Sequence, residues 1–254
     1  MKRWLKSFLR SRGLEIRRVQ PGEFTPGSPD RPLGDIYRFL EDIKARGFAP
    51  RGIVDVGANV GGWARMALSV FPGTPVVLIE PQEEMEGPLT AFVKENPGCQ
   101  YVNAGVGRAA GELVQTIWED RLGSSFLPET DPVALGAGKQ RKTRIITLDS
   151  VMETAPRNFS PDLVKLDIQG FELEALAGGP GLFGRTEVFV MEASLFEFLA
   201  GQPLVREVVM YMAERGYEIY DLPGKLRRPH DGALGQVDVA FVRANGPFRA
   251  SKEW

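Results

Sequence analysis

The chain has 254 residues with a formal net charge of −2, 43% hydrophobic and 25% charged residues. That is the balance of an ordinary soluble globule, with no overall pull toward nucleic acid. Cys99 and His230 are the only residues of their kinds, which excludes an intrachain disulfide, a thiolate zinc cluster and a histidine-rich metal centre and agrees with a reducing, cytoplasmic location. No run of about 18 apolar residues is present to span a bilayer, and the first residues lack the apolar core of a secretory signal.

Residues 1–18 carry Lys2, Arg3, Lys6, Arg10, Arg12, Arg17 and Arg18 against a single acid, Glu15, with Trp4, Leu5, Phe8 and Leu9 at helical spacing. Such a segment predicts either an interfacial helix drawn to anionic lipid or a helix that packs on the core with its basic face in water. Pro21, Pro26, Pro29 and Pro32 then mark a linker. Residues 34–47 read as an amphipathic helix with Ile36, Phe39, Leu40 and Ile43 inward, stopped by Gly47. The expected division is a lead-in at 1–47, a main domain at 48–245 and a tail at 246–254.

Ile53-Val-Asp-Val-Gly-Ala-Asn-Val-Gly-Gly62 is an apolar strand running into a glycine-rich turn, followed by a helical stretch at 63–71. Gly57 and Gly61 permit a sharp turn and a close backbone approach to a ligand. The next apolar run, Pro75-Val-Val-Leu-Ile-Glu80, ends in an acid, and a carboxylate at the end of a second strand accepts hydrogen bonds from ribose hydroxyls in nucleotide-binding folds. A dinucleotide loop expects Gly-x-Gly-x-x-Gly; here Ala58, Asn59 and Val60 separate Gly57 from Gly61, so the glycine that lets backbone meet a pyrophosphate is missing. The spacing resembles motif I of the class I S-adenosylmethionine methyltransferases. On that resemblance the cofactor residues are Asp55, Gly57, Ala58, Asn59, Gly61 and Glu80, with Asp55 meeting the cofactor's ammonium directly or through water.

Strands are expected at 53–56, 75–80, 100–104, 163–168, 187–193, 217–221 and 237–242. Helices fall between them at 63–71, 83–95, 171–177 and 203–215. Alternation of this kind implies an α/β fold with a mostly parallel sheet covered on both faces. Segments 112–118 and 142–148 look like paired strands of an insertion, at about 111–150, around a polar, glycine-rich stretch. Leu163-Val-Lys-Leu-Asp-Ile-Gln-Gly-Phe-Glu172 is a buried strand that ends in Asp167, and Val188-Phe-Val-Met-Glu192 ends in Glu192. Ligands of open α/β sheets sit outside the carboxyl ends of strands. Asp167 and Glu192 there could take a proton, hold a divalent cation or orient a substrate hydroxyl; Asp167 could also simply support the Gly57 loop. His230 is either a base or an exposed loop histidine.

Taken together, residues from about 52 to 243 resemble the FkbM family of methyltransferases. The resemblance lies in Val54-Asp-Val-Gly-Ala-Asn-Val-Gly61, Ile79-Glu-Pro81, Gly123-Ser-Ser125, Thr147-Leu-Asp-Ser150, Lys165-Leu-Asp-Ile-Gln-Gly-Phe-Glu-Leu-Glu174, Glu192 and Val237-Asp-Val-Ala-Phe-Val242. It implies a Rossmann-like sheet of order 3-2-1-4-5-7-6 with an antiparallel last strand. It also implies methyl transfer from S-adenosylmethionine to a hydroxyl of a sugar, polysaccharide precursor or natural product. Asn103 and Ala104, at the end of the third strand, are expected at the adenine. Ser124 and Ser125 line the pocket or cap a turn, and Trp118, Phe126, Phe171 and Phe196 are candidates for apolar walls. A nicotinamide dehydrogenase and a non-enzymatic cofactor-binding scaffold are the rival readings. Acceptor, metal need and oligomeric state are not legible.

Overall fold

The structure, a computed structural model, describes residues 31–118, 123–128, 136, 139–156 and 158–253; the basic segment 1–18 and the linker up to residue 30 lie outside them. The first element is α1 (Ile36–Ala45), whose N-terminus is capped by Asp35 accepting from the Arg38 amide at 3.1 Å, a bond that satisfies one of the free donors of the first turn. Then come β1 (Ile53–Val56), α2 (Gly62–Val70), β2 (Val76–Ile79), a 3-10 turn into α3 (Glu86–Glu95), and β3 (Gln100–Val102).

The expected third strand at 100–104 divides. β3 stops at Val102, the chain steps sideways through Asn103 and Ala104, and β4 (Gly105–Val106) joins a different sheet. β5 (Gly111–Ile117) and β6 (Lys139–Ile146) form the antiparallel pair expected of the insertion, and β4 lies parallel to β6 on its other side. Residue 148, placed at a strand end by the sequence, instead begins α4 (Leu148–Thr154), because the Thr147 hydroxyl accepts from the Ser150 amide at 3.2 Å and starts a helix there.

The main sheet resumes with β7 (Leu163–Leu166), α5 (Glu172–Ala177), β8 (Val188–Ser194), α6 (Val205–Ala213), β9 (Tyr217–Arg227) and β10 (Leu234–Arg243). Its order is β3-β2-β1-β7-β8-β10-β9. β10 runs antiparallel to both its neighbours, and the β1, β2, β3, β7 and β8 pairings are parallel. The order of the methyltransferase sheet is thus realised. β9 is longer than the expected 217–221, since its outer half pairs with β10 beyond the core.

Residues of one strand alternate between two apolar layers. Val54 and Val56, Val164 and Leu166, and Met191 and Val239 pack with α4, α5 and α6. Ile53, Leu163, Val188, Val190 and Ala240 pack with α1, α2 and α3. Ile53, Val54 and Val56 are fully buried, each side chain contributing about 1.5–3 kcal/mol by leaving water. The C-terminal segment is held: Phe248 packs against Phe48 and Tyr220, with ring centroids 5.8 and 5.3 Å away. Among the described residues no helix is long and apolar enough to cross a membrane.

Candidate active site

A cavity of about 410 Å³ opens at the carboxyl edge of the main sheet, where the order reverses between β1 and β7. It is lined by Gly57, Asn59, Glu80 and Gln82 on one side, by Ala104, Gln115, Ser124 and Phe126 from the insertion side, and by Asp167, Gln169 and Glu192. This is where an open α/β sheet places its ligand, and the volume lies within the range of small-molecule sites, about 300–1,000 Å³.

The Gly57 loop is fixed from three directions. The amides of Gly57 and Ala58 donate to the Ile79 carbonyl at 2.9 and 3.1 Å. The Asn59 amide donates to Glu80 Oε2 at 2.9 Å, and the Gln82 amide donates to Oε1 at 3.0 Å. Lys165 Nζ, from below, donates to the Gly57 carbonyl at 3.0 Å. Gly57 has φ 78°, and a Cβ there would lie 2.0 Å from the Asp167 carbonyl oxygen. The left-handed backbone of the turn thus demands glycine, as the sequence suggested, and the Asp167 carbonyl adds a second reason that it did not.

Lys165 is the residue that sequence reasoning passed over. It pairs with Asp55 across β1 and β7 and stands 3.3 Å from Asp55 Oδ1 and 3.4 Å from Asp167 Oδ2. Burial alone would lower its pKa, but the two carboxylates overcome that and raise it. Burial in turn pushes the Asp55 carboxyl up, against the pull of Lys165. Asp55 is fully buried and lies beneath the loop, outside the cavity lining. Being on the same face as Ile53 turns it toward α2 and Lys165, so of the direct and water-mediated contacts with a cofactor ammonium the buried position leaves no direct access from the cavity. The signal was a lysine inside an otherwise apolar buried strand, which requires a buried partner.

Asp167 and Glu192 do come together. They follow Leu166 and Met191, which are register partners in β7 and β8. The Gln169 side-chain amide donates to Asp167 Oδ1 and to Glu192 Oε2, both at 3.0 Å. Gln169 itself sits at φ 55°, with its carbonyl accepting from Ser125 Oγ at 2.8 Å. Asp238 stands directly opposite Glu192 in the β8–β10 register, and like charges so placed repel. Burial, then Asp167, Glu172 and Asp238, push the Glu192 carboxyl well above its usual range, so at neutral pH it keeps its proton. Glu172 accepts from the Ile168 and Gly170 amides at 3.0 and 3.1 Å, and burial pushes it up to about 7. Among the described residues no group of three or more His, Cys, Asp or Glu side chains is arranged to hold a metal ion. The metal role left open for Asp167 and Glu192 finds the Gln169 amide between their oxygens.

The other expectations divide. Glu80, Asn59, Ala104, Ser124 and Phe126 line the cavity. Ser124 Oγ donates weakly to Gln82 Oε1 at 3.4 Å, while Ser125 is buried and serves the turn. Ala58 and Gly61 lie outside the lining: Ala58 is buried against β2 by its amide bond, and Gly61 is the N-cap of α2. Asn103 is exposed, outside the lining beside Ala104, and its side-chain amide donates to the Tyr101 hydroxyl at 2.8 Å. Phe171 stacks behind Phe126 with centroids 5.6 Å apart. Trp118 is not in the lining, and Phe196 lies under Arg228 at 4.2 Å. His230 is exposed in the β9–β10 turn, the loop alternative. Gln115 and Gln236 belong to no motif, and Gln169, inside the Lys165–Glu174 segment of the resemblance, carries no role in the sequence reading.

The model of the methyltransferase FkbM domain matches residues 55–219, well over half of the chain and spanning the Gly57 loop, Glu80, Asp167 and Glu192. The chain belongs to the FkbM family of S-adenosylmethionine-dependent methyltransferases. That family membership displaces the nicotinamide dehydrogenase and scaffold readings. Among solved structures, the FkbM methyltransferase of Methylobacillus flagellatus KT is 16% identical, with TM-score 0.48, over 76% of this chain and 44% of that one. The chain thus spans less than half the length of that relative. The 1,6-didemethyltoxoflavin-N1-methyltransferase of Burkholderia thailandensis, solved with its substrate and S-adenosylhomocysteine, is 14% identical, with TM-score 0.44, over 83% of this chain and 79% of that one. The magnesium protoporphyrin IX methyltransferase of Synechocystis PCC 6803, solved with S-adenosylmethionine, is 12% identical, with TM-score 0.44, over 82% and 79%. No curated protein sequence matches the chain.

The residues present suit an FkbM cofactor. Glu80 accepts from two backbone amides, one on each oxygen, and also bonds the Gln82 side chain, while a carboxylate offers about four such sites. That leaves capacity on Glu80, at the cavity wall, for a cofactor hydroxyl. The loop before α2 brings backbone close to the same space.

Proposed function

We propose that this FkbM protein methylates a hydroxyl oxygen of a sugar, polysaccharide precursor or natural product, with S-adenosylmethionine held between Glu80 and the Gly57 loop. S-adenosylmethionine supplies a methyl group already activated on a sulfonium. Proximity and alignment of an acceptor oxygen are worth on the order of 7–11 kcal/mol in such a step. A hydroxyl also has a proton to lose as its oxygen bonds the methyl carbon, and Asp167 is the group suited to accept it.

The observation that carries the reading is the arrangement of Asp167, Gln169 and Glu192 on the cavity wall. Gln169 spends one amide hydrogen on each acid. Glu192, holding its own proton, is the poorer acceptor of the two, which leaves Asp167 for the acceptor's proton. Lys165 steadies Asp167 from beneath at 3.4 Å. Asp167→Asn keeps the size and removes the charge, and is expected to lower kcat by roughly 10²–10⁴ with little change in cofactor affinity. The assay is S-adenosylhomocysteine release over a panel of hydroxyl acceptors, with calorimetry for the cofactor. Full turnover in Asp167→Asn would leave it a mere support for the Gly57 loop.

A further inference from the structure

Gln115, on β5, is 2% exposed and lines the main cavity. Its Oε1 accepts from the Thr143 hydroxyl at 3.3 Å, across the β5–β6 pair. The Nε2 end of the same amide has no hydrogen-bond partner among the described residues. Nor is that nitrogen sealed inside the protein: the side-chain atoms closed off without a partner belong to Arg31, Asp55, Thr186, Glu187 and Asp221. The open space that Gln115 borders is the cavity. A buried side chain is thus held by its carbonyl end and presents its amide hydrogens to the cavity. A donor so placed costs free energy until something accepts from it.

The position of Gln115 follows from the small sheet. Arg141 is its register partner on β6, and directly opposed residues share a face. The Arg141 guanidinium reaches Glu84 at 3.0 and 2.7 Å, just beyond Glu80 and Gln82 in the chain. Ser124, from the loop after β5, bonds Gln82 itself. Gln115 therefore roofs the Gln82 and Ala104 end of the cavity. In the sheet order β1 stands between that end and Asp167, which follows β7.

S-adenosylmethionine carries its sulfonium on one side of the ribose and its adenine on the other. With the ribose on Glu80 and the methyl group at Asp167, the adenine goes to the Gln82 and Ala104 end. We propose that Gln115 reads that base, its side-chain amide donating to a ring nitrogen of adenine. The inference rests on the reading of the main cavity as the cofactor site and adds the residue that makes the site selective for the base. The Thr143 hydroxyl, by donating to Oε1, decides that the group facing the cavity is a donor, and the ring nitrogens of adenine are acceptors. A buried donor also rejects a base that lacks the matching acceptor, because the donor is then left unpaired. Gln115 takes the place that the sequence reading gave to Asn103, which lies outside the lining and bonds Tyr101. The small sheet thereby serves the cofactor through β5 and the Gln169 turn through Ser125.

The test is calorimetry on the full-length protein with S-adenosylhomocysteine and its 1-deaza, 3-deaza and 7-deaza analogues, each of which replaces one ring nitrogen by C–H. One analogue is expected to bind the wild type about tenfold more weakly than the parent. In Gln115→Leu and Gln115→Met the parent is expected to weaken by about the same factor, and that one analogue to lose nothing further. Met is unbranched and of similar length, which keeps the packing of β5, and the melting temperature of each variant checks the fold. Three analogues that all bind the wild type like the parent overturn the assignment. So does a parent unaffected by both variants, or a weakening that is equal for all four ligands. Lost turnover with unchanged cofactor affinity in both variants overturns it as well, giving Gln115 to the acceptor. Failure of the wild type to bind S-adenosylhomocysteine at all overturns the cofactor reading instead.

Discussion

Lys165 joins three parts of the site at one ammonium: Asp55 under β1, the Gly57 carbonyl in the loop and Asp167 at the end of β7. Removing one member of a buried pair costs about 3–5 kcal/mol, because the surviving charge is stranded. Lys165→Met is expected to lower stability by that order in urea unfolding, and adding Asp55→Asn should restore part of it by neutralising the stranded acid. A double variant no more stable than the single one would show that the two residues do not act as a pair. Glu80 makes a separate contribution. Glu80→Ala removes the acceptor of two backbone amides together with the ribose ligand proposed above, so S-adenosylmethionine affinity is expected to fall at least about tenfold in calorimetry. Hydrogen exchange at the Asn59 and Gln82 amides should accelerate in the same variant. Both effects follow from one carboxylate serving the loop and the ligand.

At the scale of elements, the insertion is the informative piece. β5 and β6 pair over the span the sequence suggested, yet the contact that matters lies in the segment after β5. Thr116 and Ser125 exchange backbone bonds at 3.0 and 3.2 Å. Ser125 Oγ then donates to the Gln169 carbonyl and accepts from the Leu127 amide at 3.1 Å. The small sheet is thereby fastened to the turn that aims Gln169 at Asp167 and Glu192. Ser125→Ala removes a hydrogen bond to the half-buried Gln169 carbonyl, at a cost of about 0.5–1.5 kcal/mol, and loosens a residue already in the left-handed region. Turnover is expected to fall while cofactor affinity changes little, in steady-state kinetics beside calorimetry. A fall in affinity with turnover intact would mean that Ser125 serves the cofactor end.

Over the whole molecule, the acids at the sheet edge set a pH dependence. Burial, followed by Asp167, pushes Asp238 from 3.8 up to about 6, and burial pushes Glu172 from 4.5 up to about 7, while Glu192 is raised as well. A carboxyl with a raised folded-state pKa binds its proton more tightly when folded. Its stabilising contribution is complete below the unfolded value and is lost as pH rises through the folded one. The melting temperature of the cofactor-free protein is therefore expected to fall between about pH 4 and about pH 7, each such group costing about 1.4 kcal/mol per pH unit within its own window. Glu192→Gln and Asp238→Asn should flatten that slope in scanning calorimetry. A melting temperature that rises through the same interval would contradict the arrangement of acids.

The local sequence determined what depends on near neighbours along the chain. Strand and helix alternation is written in the apolar periods. The Gly57 turn is written in its glycines, and the acids at strand ends, Glu80, Asp167 and Glu192, follow from where the apolar runs stop. Only the tertiary structure decided which groups face one another across strands distant in sequence. Asp55 pairs with Lys165 because register places them side by side. Gly57 answers to the Asp167 backbone, and Asn103 answers to Tyr101. Asp238 entered the site because β10 returns antiparallel beside β8 and sets it opposite Glu192. A hydrogen bond or charge pair acts over a few ångströms of space, and spacing along one strand does not specify what the neighbouring strand brings into that range.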